Sequence, residues 1–415
     1  MRRWPWLLAL ACTACGGDEE STQKTGTGGA AGSGGSGGVD AGGSGGVSGG
    51  DASSGGSAGG TEYCNGQIGL TSPLSVCSEQ SPCTNTPPLR PASITTATEI
   101  PTCATGNASH PTFADPQITR IDAGGVTRYA CLYSPPGATP TSRRPLLVYF
   151  HGSFDTADAP YDTTLLREKA VSHDLSGDPA RPGYFLLSIN ARNLHWPTTT
   201  KEDGAKEDTF HRDLGSPSGN PDLLNFDALV DDLVQQGAVD PKRIYVSGWS
   251  NGGRFAQLVG IARHETATPG GNRVAAAAVY SATDPFNNTK QEQVPSCALD
   301  PYPSSQLPVF LVGRACDILP CDEAQAAAFV SEGAVIDPGD VMSTWVSDLQ
   351  NKIGSPSVER VIVNGLGQTV TTCSASSLCN YDTALLGHVD WPDGIGGNGD
   401  YEPQMLDFLK QHPLP

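Results

Sequence analysis

Val239-Asp240-Pro241-Lys242-Arg243-Ile244-Tyr245-Val246-Ser247-Gly248-Trp249-Ser250-Asn251-Gly252-Gly253 is the stretch on which the fold turns. Residues 243–247 form an apolar run of strand length. Small residues then crowd around a serine, and Phe255, Ala256, Leu258, Val259 and Ile261 follow at helical spacing. A strand, a Gly-x-Ser-x-Gly turn and a helix in succession describe a nucleophile elbow, where small residues permit a sharp turn that lifts the serine hydroxyl out of a sheet. The bare pattern means nothing in this chain, because four more matches, centred on Ser36, Ser44, Ser48 and Ser57, lie in a glycine-rich stretch with no strand or helix beside them. Context singles out Ser250.

Working outward, residues 145–150 and 184–189 read as buried strands, and 222–236 as a helix with Leu223, Leu224, Phe226, Leu229, Val230 and Leu233 on its apolar face. Beyond the elbow, 274–280, 308–312 and 358–363 read as strands and 341–350 and 402–411 as helices. Strands alternating with helices imply an α/β fold with a doubly wound, mostly parallel sheet. Ligands in such sheets bind at the carboxyl ends of the strands.

The N-terminal side has a different character. Arg2 and Arg3 precede an apolar stretch from Trp4 to Ala14, too short to span a bilayer and suited to a secretory signal. Cys15, followed by Gly16-Gly17-Asp18, resembles the lipid-modified cysteine of bacterial lipoproteins; ordinary cleavage after Ala9-Leu10-Ala11 is the alternative. Residues 16–60 hold 20 of the 50 glycines and almost no large apolar side chain, so they read as a flexible linker. A coil of that length spans roughly 35–40 Å, enough to hold a domain off a membrane. Residues 61–118 are rich in Cys, Pro, Thr and Ser and read as a disulfide-stapled extension, leaving 119–415 as the catalytic domain.

Beyond the signal there are ten cysteines, an even set that in an exported chain suggests disulfides. No zinc-type spacing of Cys and His occurs, so no metal is expected. Connectivity stays open, with Cys316 to Cys321 and Cys373 to Cys379 closing the shortest loops. The net charge of −19 argues against a nucleic-acid partner.

A serine nucleophile needs a general base and an orienting acid, in this fold in the order Ser, Asp or Glu, His. After Ser250 only His264, His388 and His412 remain. His264 and His412 fall at helix ends, whereas His388 in Leu386-Gly387-His388-Val389-Asp390-Trp391-Pro392 sits on a Gly- and Pro-bounded loop. Asp317, a short loop after the strand at 308–312, is the preferred acid, with Asp322 its rival. The oxyanion of the tetrahedral intermediate needs two backbone donors, expected from Asn251 and from Ser153 in Phe150-His151-Gly152-Ser153. Trp249 and Trp391 are the expected substrate contacts, and His151 is expected to be structural.

Together these motifs, with the helix Asp227-Ala228-Leu229-Val230-Asp231-Asp232-Leu233 and the late Gly387-His388 with Trp391-Pro392, resemble the polyhydroxybutyrate depolymerase and feruloyl or acetylxylan esterase family over residues 144–413. The resemblance implies an α/β-hydrolase fold and a cofactor-independent esterase acting through an acyl-enzyme on esters of an external polymer. A degenerate domain that only binds polymer, or a peptidase or acyltransferase on the same fold, would share the same residues.

Overall fold

The computed structural model describes residues 93–97, 99–105, 110–195, 204–209, 220–267, 270–282, 284–286, 302–314, 335–336, 345–363, 373–374, 388, 390–395 and 399–415. The signal segment with Cys15, the linker, most of the 61–118 extension, Asp317 and Asp322 lie outside the described residues. So does every cysteine except Cys103, Cys131 and Cys373.

Eight strands build the central sheet: β1 Gln117–Ile121, β2 Thr127–Tyr133, β3 Arg144–Phe150, β4 Phe185–Ile189, β5 Val239–Trp249, β6 Ala276–Tyr280, β7 Val309–Arg314 and β8 Val358–Val363. Their spatial order is β1-β2-β4-β3-β5-β6-β7-β8. β2 runs antiparallel to both neighbours and every other pairing is parallel. This is the α/β-hydrolase fold. The chain leaves β3 for β4 and returns past β3 to β5, so the connections diverge between β3 and β5. That divergence opens a crevice at the carboxyl ends of those two strands, which is where such folds hold their ligands.

The two faces of the sheet are covered because inner strand residues alternate. Leu146, Val148 and Phe150 of β3 and Ile244 and Val246 of β5 pack on one side with helices α2 (Pro221–Gln235) and α3 (Asn251–His264). Leu147 and Tyr149 of β3 and Tyr245 and Trp249 of β5 face the other, against α1 (Leu166–Ser172) and α4 (Glu402–Gln411). The N-cap Asn220 accepts from the Asp222 and Leu223 amides, a contribution of about 1 kcal/mol to α2. Each fully buried Leu, Val or Phe on its inner face contributes roughly 1.5–3 kcal/mol, so packing outweighs capping.

The helix expected over 341–350 ends instead in a π-helical turn, Leu349–Ile353, closed by Gly354 in the left-handed region (φ 97°). The described end of the extension is tied to the sheet: β1 runs across residue 118, and a disulfide joins Cys103 to Cys131 on β2. Asp115 accepts from Arg167 Nε at 2.5 Å and from the Tyr161 hydroxyl at 2.9 Å. The Arg167 guanidinium in turn lies 3.6 Å from the Tyr133 ring centroid and 4.1 Å from that of Phe113. A second, three-stranded sheet of Ser93–Thr95, Arg192–His195 and Gly204–Lys206 lies beside the crevice.

Candidate active site

At the end of β5 the chain turns into α3 through Ser250, whose backbone sits at φ 57° and ψ −122°. A non-glycine residue is strained there, by about 1–3 kcal/mol, and persists only where its surroundings dictate it. The glycines around it supply the reason. A Cβ on Gly248 would stand 2.6 Å from the Gly252 carbonyl and 2.7 Å from the Phe150 carbonyl, and a Cβ on Gly252 would approach the Phe150 and His151 carbonyls closer still. The start of α3 is thus drawn against the end of β3.

His388 Nε2 lies 2.9 Å from Ser250 Oγ, so the structure brings the expected nucleophile and base into hydrogen-bond contact. On the other side of the ring, His388 Nδ1 lies 2.7 Å from Ser281 Oγ. With Nε2 accepting from Ser250, Nδ1 carries the proton and faces the Ser281 hydroxyl. Ser281 was not foreseen from the sequence, although its place one residue past β6, at a strand's carboxyl end, was a usable signal. It too has a positive φ, 49°. Three of the five described non-glycine residues with positive φ (Phe154, Ser250 and Ser281) gather here.

The turn bearing His388 is held from three directions. Trp249 Nε1 donates to the His388 carbonyl at 2.8 Å, the Tyr280 hydroxyl donates to the Asp390 carbonyl at 2.8 Å, and Trp391 Nε1 donates to Glu402 at 2.6 Å. The Trp391 ring stands edge-on to Tyr149 and Tyr280 at 5.8 and 5.4 Å between centroids. Trp249 is 4% exposed and Trp391 2% exposed. Their faces are packed and their N–H groups engaged, so both hold the turn that bears His388. Glu402, fully buried, also accepts from Lys169 and from the Leu165 amide, and burial pushes its carboxyl up to about 7 against the pull of Lys169.

The loop after β3 is fixed by His151. Its Nδ1–H donates to the Gly152 carbonyl at 2.7 Å and its Nε2 accepts from the Ala191 amide at 2.9 Å, which sets one neutral tautomer. Burial lowers its pKa to about 4, so it is a strut rather than a second base. The backbone amides of Ser153 and Asn251 donate to no described residue. Ser153 lies on the loop after β3 and Asn251 is the first residue of α3.

Below this loop lies a buried ionic cluster that sequence patterning did not reveal. Asp222 Oδ1 accepts from Arg128 Nη2 and Arg192 Nε, each at 2.7 Å, and Arg128 also reaches Asp122. Burial would raise the Asp222 carboxyl, but the two guanidiniums outweigh it and hold it near 2. Glu207, also fully buried, has its carboxyl pushed well above its ordinary value by burial and by Asp222. Among the described residues the one grouping of metal-ligand type is Cys103, Cys131 and Asp158, and its two sulfurs are joined to each other.

No protein-family model matches the chain, and no curated protein matches it. Solved structures similar to it include a thermostable esterase, at 17% identity over 72% of this chain and 63% of that one with a TM-score of 0.40. An esterase from Pyrobaculum calidifontis is 16% identical over 62% of this chain and 77% of its own, with a TM-score of 0.37. A prolyl endopeptidase is 17% identical over 71% of this chain and 38% of its own, with a TM-score of 0.36. The chain thus spans less than two thirds of the length of the thermostable esterase. At these identities and scores the likeness bears on neither substrate nor catalytic role.

Proposed function

We propose that this chain is a serine carboxylic ester hydrolase working through an acyl-enzyme. The observation that carries the reading is the 2.9 Å contact between Ser250 Oγ and His388 Nε2 at a strained strand-to-helix turn. In the proposed cycle His388 Nε2 takes the hydroxyl proton as Ser250 Oγ attacks the ester carbonyl. The oxyanion forms against the Asn251 and Ser153 amides, where preorganised donors matter most because charge develops there. The imidazolium then gives its proton to the departing alkoxide, and water attacks the acyl-enzyme by the same route in reverse. Asp317 orients His388 in this scheme, by its place in chain order after β7.

The substrate class follows from the resemblance in the motifs: a hydroxyalkanoate polyester, or feruloyl or acetyl esters of a polysaccharide, met by an exported chain tethered through Cys15. The test is turnover of p-nitrophenyl acetate by the wild type and by Ser250→Ala, followed by a screen on polyhydroxybutyrate, methyl ferulate and acetylated xylan. Ser250→Ala removes one partly exposed hydroxyl and no core volume, so it should lose turnover and keep its fold. A folded Ser250→Ala protein with near wild-type rates would end the proposal.

A further inference from the structure

The two amides assigned to the oxyanion hole belong to separate elements, one after β3 and one opening α3, and a third segment touches both. The Phe154 amide, next to Ser153, donates to the Ala205 carbonyl at 2.7 Å. Two residues on, the Glu207 amide donates to Asn251 Oδ1 at 2.7 Å, and Asn251 Nδ2 donates back to the Glu207 carbonyl at 3.2 Å. Segment 204–207 is therefore bonded at one end to the Ser153–Phe154 loop and at the other to the side chain of the residue after the nucleophile.

The segment is itself fixed on both flanks. Lys206, Ala205 and Gly204 pair with Arg192, Asn193 and Leu194 of the neighbouring strand. The Asp208 amide donates to Asp222 Oδ2 at 2.8 Å, and Asn220 Nδ2 donates to the Asp208 carbonyl at 2.9 Å. Asp222 and Arg192 both belong to the buried ionic cluster, so the anchor is stiff. Phe154 sits at φ 65°, a conformation that a phenylalanine keeps only under constraint, and the Gly204 backbone lies so close to its ring that a Cβ there would overlap it.

We infer that segment 204–207 is a splint that sets the spacing of the Ser153 and Asn251 amides, with the Asn251 side chain as the positioning residue that couples the splint to the nucleophile turn. The inference rests on the esterase reading. It gives Asn251 two separate duties, since the backbone amide would meet the oxyanion while the side chain never touches substrate. A donor misplaced by about 1 Å loses on the order of a hundredfold in rate, and the loss falls on the transition state, where the oxyanion exists, rather than on substrate binding.

The experiment compares wild type, Ser250→Ala and Asn251→Ala on p-nitrophenyl acetate, with inhibition by phenylboronic acid as a tetrahedral mimic. Asn251→Ala keeps the backbone amide and removes only the link to Glu207. Its kcat should fall about 10- to 100-fold with KM unchanged, and the boronate should weaken by a similar factor. Wild-type kcat in a folded Asn251→Ala, or a change confined to KM, would overturn the splint while leaving the esterase reading intact. Absence of turnover in the wild type would overturn that reading and the splint with it. Should Asn251→Ala fail to fold, Gly204→Ala decides: its Cβ pushes on Phe154 from the other end, so a kcat loss at constant KM supports the splint and an unchanged kcat refutes it.

Discussion

His151→Gln separates two consequences of a buried, neutral histidine. The side chain is fully buried and makes two hydrogen bonds to the backbone, so its replacement lowers stability at neutral pH by the loss of those bonds and of packing. The loss changes with pH in a defined direction. The folded chain keeps His151 neutral down to about pH 4, whereas an unfolded chain protonates it near 6.5. Between those values the unfolded state binds more protons, so the wild type loses stability as pH falls. For folded and unfolded pKa values of about 4 and 6.5, that loss is about 2 kcal/mol at pH 5 and about 3 kcal/mol at pH 4, and nearly zero at pH 7. His151→Gln has no such group and escapes it. Asp155, Glu207 and Glu402, whose carboxyls burial raises, titrate in the opposite sense but do so in both proteins and cancel in the difference. Urea titrations followed by tryptophan fluorescence at pH 7, 5 and 4 give the comparison. The gap between wild type and variant should shrink by about 3 kcal/mol from pH 7 to pH 4. A constant gap across that range would show that His151 is not held neutral and would undo its assignment as a strut.

Gly252→Ala should cost at least the roughly 1–3 kcal/mol of overpacking, because its methyl group meets the Phe150 and His151 carbonyls rather than a flexible side chain; wild-type melting would contradict that contact. Replacing both Cys103 and Cys131 by serine opens a loop of sequence separation 28 and should destabilise by about 3–4 kcal/mol, read as a lower urea midpoint; an unmoved midpoint would mean that the bridge does not form. Asp317→Asn should lower kcat by about 10⁴ with the fold kept and Asp322→Asn should cost little, and the reverse pattern in steady-state kinetics would move the acid to Asp322.

How far the sequence could be read depended on the range of the forces involved. Strands β3, β4 and β5 and helices α2 and α4 were legible within a residue or a few, because each is a local run whose apolar spacing matches its own geometry. β2 was not read as a strand. Thr127–Tyr133 carries Arg128, a charge that argues against burial until Asp222, 94 residues away, is found beside it. The 192–195 and 204–206 strands were missed for a like reason, since Arg192 is buried against Asp222 and the buried Lys206 has its ammonium over the Phe154 ring. Trp249 and Trp391 were named beside Ser250 and His388, but their bonds to the His388 carbonyl and to Glu402 were not legible, because an aromatic next to a catalytic candidate reads the same from either side of a wall.

By itself the sequence determined that the chain alternates strands and helices, that a tight glycine turn presents Ser250, and that His388 is the histidine left with a loop of its own. Those properties reside in spacing and in the volume of neighbouring side chains, which a linear reading contains. Tertiary structure alone decided that Ser281 stands at His388 Nδ1, that two tryptophans hold the turn bearing His388, and that segment 204–207 joins the elements carrying Ser153 and Asn251. Each of these is a contact between groups far apart in the chain, and a hydrogen bond of 2.7 Å depends on where the sheet puts its strand ends, not on which residues precede it.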